Sequence, residues 1–414
     1  MPAQACAKFG HHDAQKLSDM SKSDSNPPAV KPATAIVRAG RDKSITGPFV
    51  NPPVVHASTV LYDSVDDMVH RRQRYTYGRR GTPTIEALSK ALSELDGAAG
   101  TVLCPSGLSA ISTALLACLS SGDRLLMVDS VYAPARHFAR TILKRLGVET
   151  TFYDPQVGAG IASLLTDRTR AIYMESPGSL TFEMQDVPAI VGAAKGRGIA
   201  TIFDNTWATS YYFKPLSIGV DIALSAGTKY IGGHSDVMLG TIAANETFWP
   251  KLLETHGSLG LCVGPDDIYL GLRGLRTMGV RLERQMQSAL RVARWLADRP
   301  EVARVLHPGL ETDPGHAIWK RDMSGASGLF SVHFAGWAKD DAARFIDDLQ
   351  FFGIGASWGG YESLAVLANP GQVREAKPWN EKGVLIRLHI GLEDPDDLIA
   401  DLEAGFARVA AGAS

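Results

Sequence analysis

Cysteine is scarce in this sequence, charges of the two signs nearly cancel, and long apolar runs are missing. The four cysteines (Cys6, Cys104, Cys118, Cys262) lie far apart without a Cys-x-x-Cys pair. That argues against a disulfide framework or a zinc site and suits reduced thiols in a cytoplasmic protein. Cys104 and Cys118, in apolar company, read as small buried hydrophobes. A formal net charge of −2, with acidic and basic residues interspersed, argues against nucleic acid or an anionic membrane as principal partner. No apolar stretch approaches the ~18 to 20 residues of a membrane span, and the N-terminus has no apolar signal core. What is left is an ordinary globular chain of 414 residues, long enough for two or three domains and suited to a small-molecule partner.

Residues 1–33 are polar and read as a disordered tail, in which His11-His12 lacks a third ligand for a metal. From 34 to 80, Gly40, Gly47, Pro48, Pro52 and Pro53 punctuate short apolar pieces, the pattern of an N-terminal arm draped over something else. The arm ends in Tyr75-Thr-Tyr-Gly-Arg-Arg-Gly-Thr-Pro-Thr84, where Arg79 and Arg80 are either anion ligands or solvated surface charge. A helix then opens cleanly, with Thr82 as cap, Pro83 in the first turn, Ile85, Leu88, Leu92 and Leu95 on one face, and Gly97 beyond its end.

Over 81–276, strand-like runs alternate with amphipathic helices, which predicts an α/β fold with a mainly parallel sheet. The runs are 101–104, 124–128, 149–153, 171–174, 200–203, 222–224 and 240–243. Ligands bind beyond the carboxyl ends of such strands, and three polar features fall there. Pro105-Ser-Gly-Leu-Ser109 leads into a helix whose free N–H groups suit an anion, with Gly107 allowing close approach. Asp204, in Phe203-Asp-Asn-Thr-Trp207, is either a turn aspartate or a carboxylate that holds a proton on a pyridine nitrogen. Lys229 follows a buried strand in the run Asp221 to Asp236, among Ala226, Gly227, Gly232 and Gly233, with hydroxyls at Ser225 and Thr228. Small neighbours let a backbone approach a planar ligand, and the neutral amine of such a lysine can bond to an aldehyde. Phosphate cradle, pyridine partner and aldehyde lysine are the groups that pyridoxal phosphate (PLP) asks for. The adjacent His-Ser-Asp of 234–236 is no hydrolase triad, because neighbours in sequence do not converge.

Residues 277–414 change pattern and predict a smaller C-terminal α+β domain. Leu272 to Leu296 reads as one long connecting helix, 327–334 and 384–390 as strands, and 340–349 and 394–409 as helices. Arg387 lies between apolar Ile386 and Leu388, so its guanidinium needs either a structural ion pair or a substrate carboxylate.

Five separated motifs occur in one order: Tyr75 to Thr82, Glu175-Ser-Pro-Gly-Ser179, Asp204-Asn-Thr-Trp207, Thr228-Lys-Tyr230 with Gly233 to Asp236, and Ser357-Trp-Gly-Gly-Tyr-Glu-Ser363. From about Thr34 onward the chain resembles the Cys/Met-metabolism family of PLP enzymes. The resemblance implies the type I, aspartate-aminotransferase-like fold and a homotetramer built from dimers that share active sites. It implies that Lys229 holds the cofactor and moves the α proton, that Asp204 pairs with the pyridine nitrogen, and that Tyr132 stacks on the ring. Gly107, Leu108 and Thr228 would hold the phosphate, joined by Tyr77 and Arg79 from the neighbouring subunit. Tyr77 or Tyr132 would accept a proton from the incoming amine. Arg387, Ser357 and Trp358 would seat the substrate carboxylate, and Arg79 is a further substrate candidate. No metal is implied.

Glu175 to Leu180 and Ser357 to Gly360 resemble the β-lyase branch, which implies α,β-elimination of L-cystathionine and related cysteine S-conjugates in methionine biosynthesis. The alternatives are γ-lyase, γ-synthase or sulfhydrylase chemistry on the same scaffold, and a non-catalytic PLP-binding regulator. Two positions depart from the pattern. Ala226 stands where many relatives have a phosphate-binding serine, and Ala356 where some β-lyases have tyrosine.

Overall fold

A computed structural model describes residues 30–372 and 374–412, so the expected tail, with His11-His12, lies almost wholly outside the described residues. The seven runs predicted as strands all pair into one sheet. They are β1 (Gly100–Cys104), β2 (Arg124–Val128), β3 (Glu149–Tyr153), β4 (Thr169–Glu175), β5 (Ala200–Asp204), β6 (Ile222–Ser225) and β7 (Gly240–Ala244), in the order β1-β7-β6-β5-β4-β2-β3. Strands β2 to β6 pair in parallel, while β7 runs antiparallel between β6 and β1. Helices on both faces bury these strands except the edge strand β3, which is why the others read as largely apolar runs.

The helix Pro83–Asp96 forms as its caps dictate. The Thr82 hydroxyl accepts from the Ile85 amide, Pro83 fills the first turn, and Gly97 turns left-handed at φ 66°. Its face of Leu88, Leu92 and Leu95 is buried in the main core.

A second sheet follows, made of β8 (Arg304–Leu306), β9 (Leu329–Phe334), β10 (Phe352–Gly353), β11 (Ser363–Ala368) and β12 (Val384–His389), ordered β10-β11-β12-β9-β8. Phe330 and Val332 of β9 and Ile386 and Leu388 of β12 pack with Phe345, Leu402 and Phe406 from the helices Lys339–Ile346 and Pro395–Gly412. The Trp207 indole donates to the Leu329 carbonyl at 3.0 Å, tying the loop after β5 to this sheet.

One expectation fails. Leu272 to Leu296 is not a single helix: Pro265–Leu275 and Met278–Ala297 are separate, parted at Arg276 and Thr277. The amides of those two residues bond three residues back, to Arg273 and Gly274, in a tighter turn. Gly274 explains the sharp approach, since a Cβ there would stand 2.2 Å from the Gly232 carbonyl oxygen in the lysine loop. Arg276 donates to the carbonyls of Ile36 and Ala39, holding the helix Pro32–Arg38 in place.

Candidate active site

Neighbouring strands β6, β5, β4 and β2 each deliver one functional residue at or just past the carboxyl end: Lys229, Asp204, Glu175 and Tyr132. All four line one cavity of about 450 Å³, together with Gly107, Leu108, Thr228, Trp358 and Arg387. The site therefore sits where the rule for parallel sheets places it. A larger cavity of about 720 Å³ shares Phe182 and Arg374 with this one, but ion pairs Arg304–Glu381 and Arg374–Glu183 already occupy its charged lining.

The Lys229 ammonium donates to the Ser357 hydroxyl at 2.7 Å and lies 5.4 Å from the centre of the Trp358 ring. Burial lowers its pKa to about 8, and the positive charge of Arg387 acts in the same direction. Gly359, at φ +86°, packs on the Lys229 backbone so closely that a Cβ would meet Lys229 Cα at 3.0 Å. Backbone contact thus presses the Ser357–Trp358 segment against the lysine.

Asp204 is almost fully enclosed. One carboxylate oxygen accepts from the Thr206 amide at 3.0 Å and from the Thr206 hydroxyl, and the other accepts from the Tyr173 hydroxyl at 3.3 Å. Burial raises its pKa while these donors oppose the rise.

At the far end, Ser106 caps the helix Gly107–Cys118 by accepting from the Ser109 amide. The amides of the first turn face the cavity with the partial positive charge of a helix start. Gly107 is needed there, because a Cβ would lie 2.6 Å from Ala226 Cβ. Ala226, rather than Ser225, lines the cavity. The Thr228 hydroxyl donates to the Leu239 carbonyl at 3.1 Å and accepts from the Leu239 amide at 3.0 Å, so its backbone partner is fixed.

Arg387 forms no ion pair among the described residues. Its Nη2 donates to the Ala356 and Ser357 carbonyls at 3.2 and 3.1 Å, whereas its buried Nε has no partner. Burial lowers this guanidinium to about 10. A cation so enclosed, with an unused donor, is built for an incoming anion.

Tyr77 and Arg79 stand apart from the cavity within one chain. Tyr77 is 46% exposed, and Arg79 donates to the Gly257 carbonyl at 2.9 Å.

Three residues of the site were not candidates on sequence: Glu175, which stands there only inside a motif, Asp129 and Arg374. Asp129, wholly buried just past β2, pairs with Arg136 at 2.6 Å and Arg374 at 3.4 Å and accepts from the amides of Glu375 and Lys377. It clasps the segment 374–377 to the sheet beside the cavity. One signal for Glu175 was present: it ends an apolar strand just as Asp204 does.

These groups fit a planar aldehyde phosphate: helix-start amides and a glycine cradle for the phosphate, a buried carboxylate for a ring nitrogen, and a partly neutral amine for the aldehyde. Fold and site together define a PLP-dependent enzyme of the type I, aspartate-aminotransferase-like fold. A family model described as Cys/Met metabolism PLP-dependent enzyme matches residues 33–407, and the chain belongs to that family. A protein of Rhizobium johnstonii is 52% identical over 382 residues, 91% of this chain and 96% of its own. The cystathionine beta-lyase of Escherichia coli K12 is 45% identical over 387 residues, covering 91% of this chain and 98% of that protein. The solved cystathionine gamma synthase of Xanthomonas oryzae pv. oryzae superposes with a TM-score of 0.85 at 34% identity, over 92% of this chain and 99% of that one.

Proposed function

We propose that this enzyme is a carbon–sulfur lyase that cleaves L-cystathionine and related cysteine thioethers by α,β-elimination, releasing a thiol (homocysteine from cystathionine), pyruvate and ammonia. The observation that carries the reading is the Lys229 amine, held between Ser357, Trp358 and Arg387 with a pKa near the working range, across the cavity from Asp204. The similarity to the E. coli β-lyase over nearly the whole chain supports the β position of cleavage.

Bound PLP supplies an electron sink for the α carbon. The chain's residues do the rest. Arg387, on the cavity wall with Trp358 and bonded to the Ser357 carbonyl, would receive the substrate carboxylate. Lys229, neutral in about half of molecules near pH 8, takes the α proton at Nζ. Asp204 would pair with the ring nitrogen and keep it protonated, while the helix-start amides of Gly107 and Leu108, with Thr228, would hold the phosphate. Tyr132 would stack on the ring as a neutral phenol, because burial and then the nearby Glu175 and Asp204 carboxyls raise it above its ordinary value, which leaves Tyr77 of a neighbouring copy to take the proton of the arriving amine.

We assign Tyr77 and Arg79 to the phosphate of a neighbouring subunit in a homotetramer of site-sharing dimers, with Arg79 also within reach of substrate there. The arm supports this: Phe49, Leu61, Val65, Met68 and Val69 are 61–85% exposed, an apolar strip that a second copy would cover. We assign 34–80 to the arm, 81–276 to the cofactor-holding domain and 277–414 to the smaller domain, in a cytoplasmic protein. Among the described residues no helix is long and apolar enough to cross a membrane.

The test is product identity from cystathionine. Pyruvate with homocysteine is expected; 2-oxobutyrate alone would transfer the enzyme to the γ-lyases, and no keto acid at all would leave a binding protein.

A further inference from the structure

Glu175 lines the same cavity, yet the chemistry above makes no use of it. On the parallel pair β4 and β5 it stands in register with Asp204, so two carboxyls end side by side on strands spaced about 4.8 Å apart. Among the described residues neither forms an ion pair, although Lys229 and Arg387 line the same cavity. Neighbouring carboxyls without a cation between them do not both ionise. The donors decide which one keeps the proton. Asp204 receives three, from the Thr206 amide, the Thr206 hydroxyl and the Tyr173 hydroxyl. Glu175 receives one, from the Tyr132 amide at 2.8 Å. Hydrogen bonds donated to a carboxylate favour its charged form, so the charge settles on Asp204.

We propose that Glu175 is a neutral carboxylic acid in the resting enzyme, a positioning residue that anchors Tyr132 by its amide and leaves Asp204 the one anion of the pair facing the ring nitrogen. The inference rests on Asp204 as the ring-nitrogen partner, and its protonation claim stands without that reading. Burial, then the Asp204 charge, holds Glu175 well above the usual carboxylate range. A second anion here would compete with Asp204 for the ring proton, and an ionised Glu175 would leave Tyr132 on a charge that shifts with pH. Tyr173, two residues earlier on β4, turns its hydroxyl to Asp204 rather than to Glu175, which keeps the two carboxyls unlike.

The experiment is infrared spectroscopy of the holoenzyme at neutral pH, followed by its kinetics. A protonated-carboxyl C=O band that shifts in deuterium oxide should be present, should vanish in Glu175→Gln and should survive in Asp204→Asn. Loss of the band in Asp204→Asn with retention in Glu175→Gln would reverse the assignment, and absence of any such band in the wild type overturns it. In the holoenzyme, Gln can still accept from the Tyr132 amide whereas Ala cannot. So kcat/KM of Glu175→Gln should exceed that of Glu175→Ala by at least about tenfold, a loss of one charge-free hydrogen bond and its packing. Equal losses in the two variants would show that the charge matters, which overturns the neutral acid. Should Glu175→Ala fail to fold, the infrared comparison of the other two variants decides alone. If the product assay went against β-elimination, that comparison would be untouched.

Discussion

Gly107 offers the most quantitative test of the phosphate cradle. It opens the helix Gly107–Cys118, and the space its side chain would take is filled by Ala226 of the lysine loop. In Gly107→Ala the new Cβ would lie 2.6 Å from Ala226 Cβ and 3.1 Å from its Cα, against an ordinary contact of 3.4 Å or more. The two segments must part by about 0.8 Å, and neither contact is the far end of a flexible side chain that could swing aside. Overpacking of this kind costs roughly 1–3 kcal/mol, roughly a 5- to 150-fold change in an equilibrium constant. The apoenzyme can relax by letting the segments drift, but the cofactor phosphate has to draw them together again. The loss should therefore fall mainly on PLP affinity, read by titrating apoenzyme and following tryptophan fluorescence, with a smaller fall in the urea midpoint of the apoenzyme. Adding Ala226→Gly removes the closer contact and leaves the 3.1 Å one, so the double variant should recover more than half of the lost affinity. A PLP Kd within twofold of wild type in the single variant, or no recovery in the double, would refute the cradle.

The Lys229 pKa of about 8 makes activity rise with pH and level off above that value, because the amine must be neutral to take a proton; a flat kcat profile from roughly pH 6.5 to 9 counts against Lys229 as the base. Arg387→Gln removes a positive neighbour, so it should move that rising limb to higher pH and raise KM roughly 10- to 100-fold; an unmoved limb would mean that burial alone sets the amine. Asp129→Asn removes the buried anion that Arg136 and Arg374 share but leaves each a second carboxylate, Glu375 and Glu183, so it should cost about 1–3 kcal/mol in urea unfolding; no measurable loss would show that the clasp is ornamental.

The sequence announced the large sheet because most of its strands, the edge strand β3 excepted, are covered on both faces and read as apolar runs between glycine and polar breaks. The second sheet was harder. Arg304–Leu306 and Phe352–Gly353 are too short to carry a period, and Ser363–Ala368 is an apolar hexamer that suits helix or strand equally. The break at Arg276 was hidden because an apolar helical period runs on either side of it, and only the contact of Gly274 with the lysine loop forces the turn. Within the site, the strand-end candidates that the cavity brings together were legible by their residue type: a lone lysine among glycines, and an aspartate closing an apolar strand. Asp129 and Arg374 were not, because their meeting depends on a chain separation of some 245 residues closing to 3.4 Å. The proposed role of Tyr77 and Arg79 needs a second copy, and within one chain Tyr77 is exposed and Arg79 is held on the Gly257 carbonyl, away from the cavity.

The contact between Gly359 and the Lys229 backbone bears on any attempt to retune which sulfur compound the enzyme cleaves. Position 356 carries only a methyl group on the cavity wall and offers room for mutagenesis, whereas position 359 has a left-handed backbone and no space for even one carbon. A library that randomises codon 356 and leaves codon 359 untouched would sample new specificities without dislodging the reactive amine.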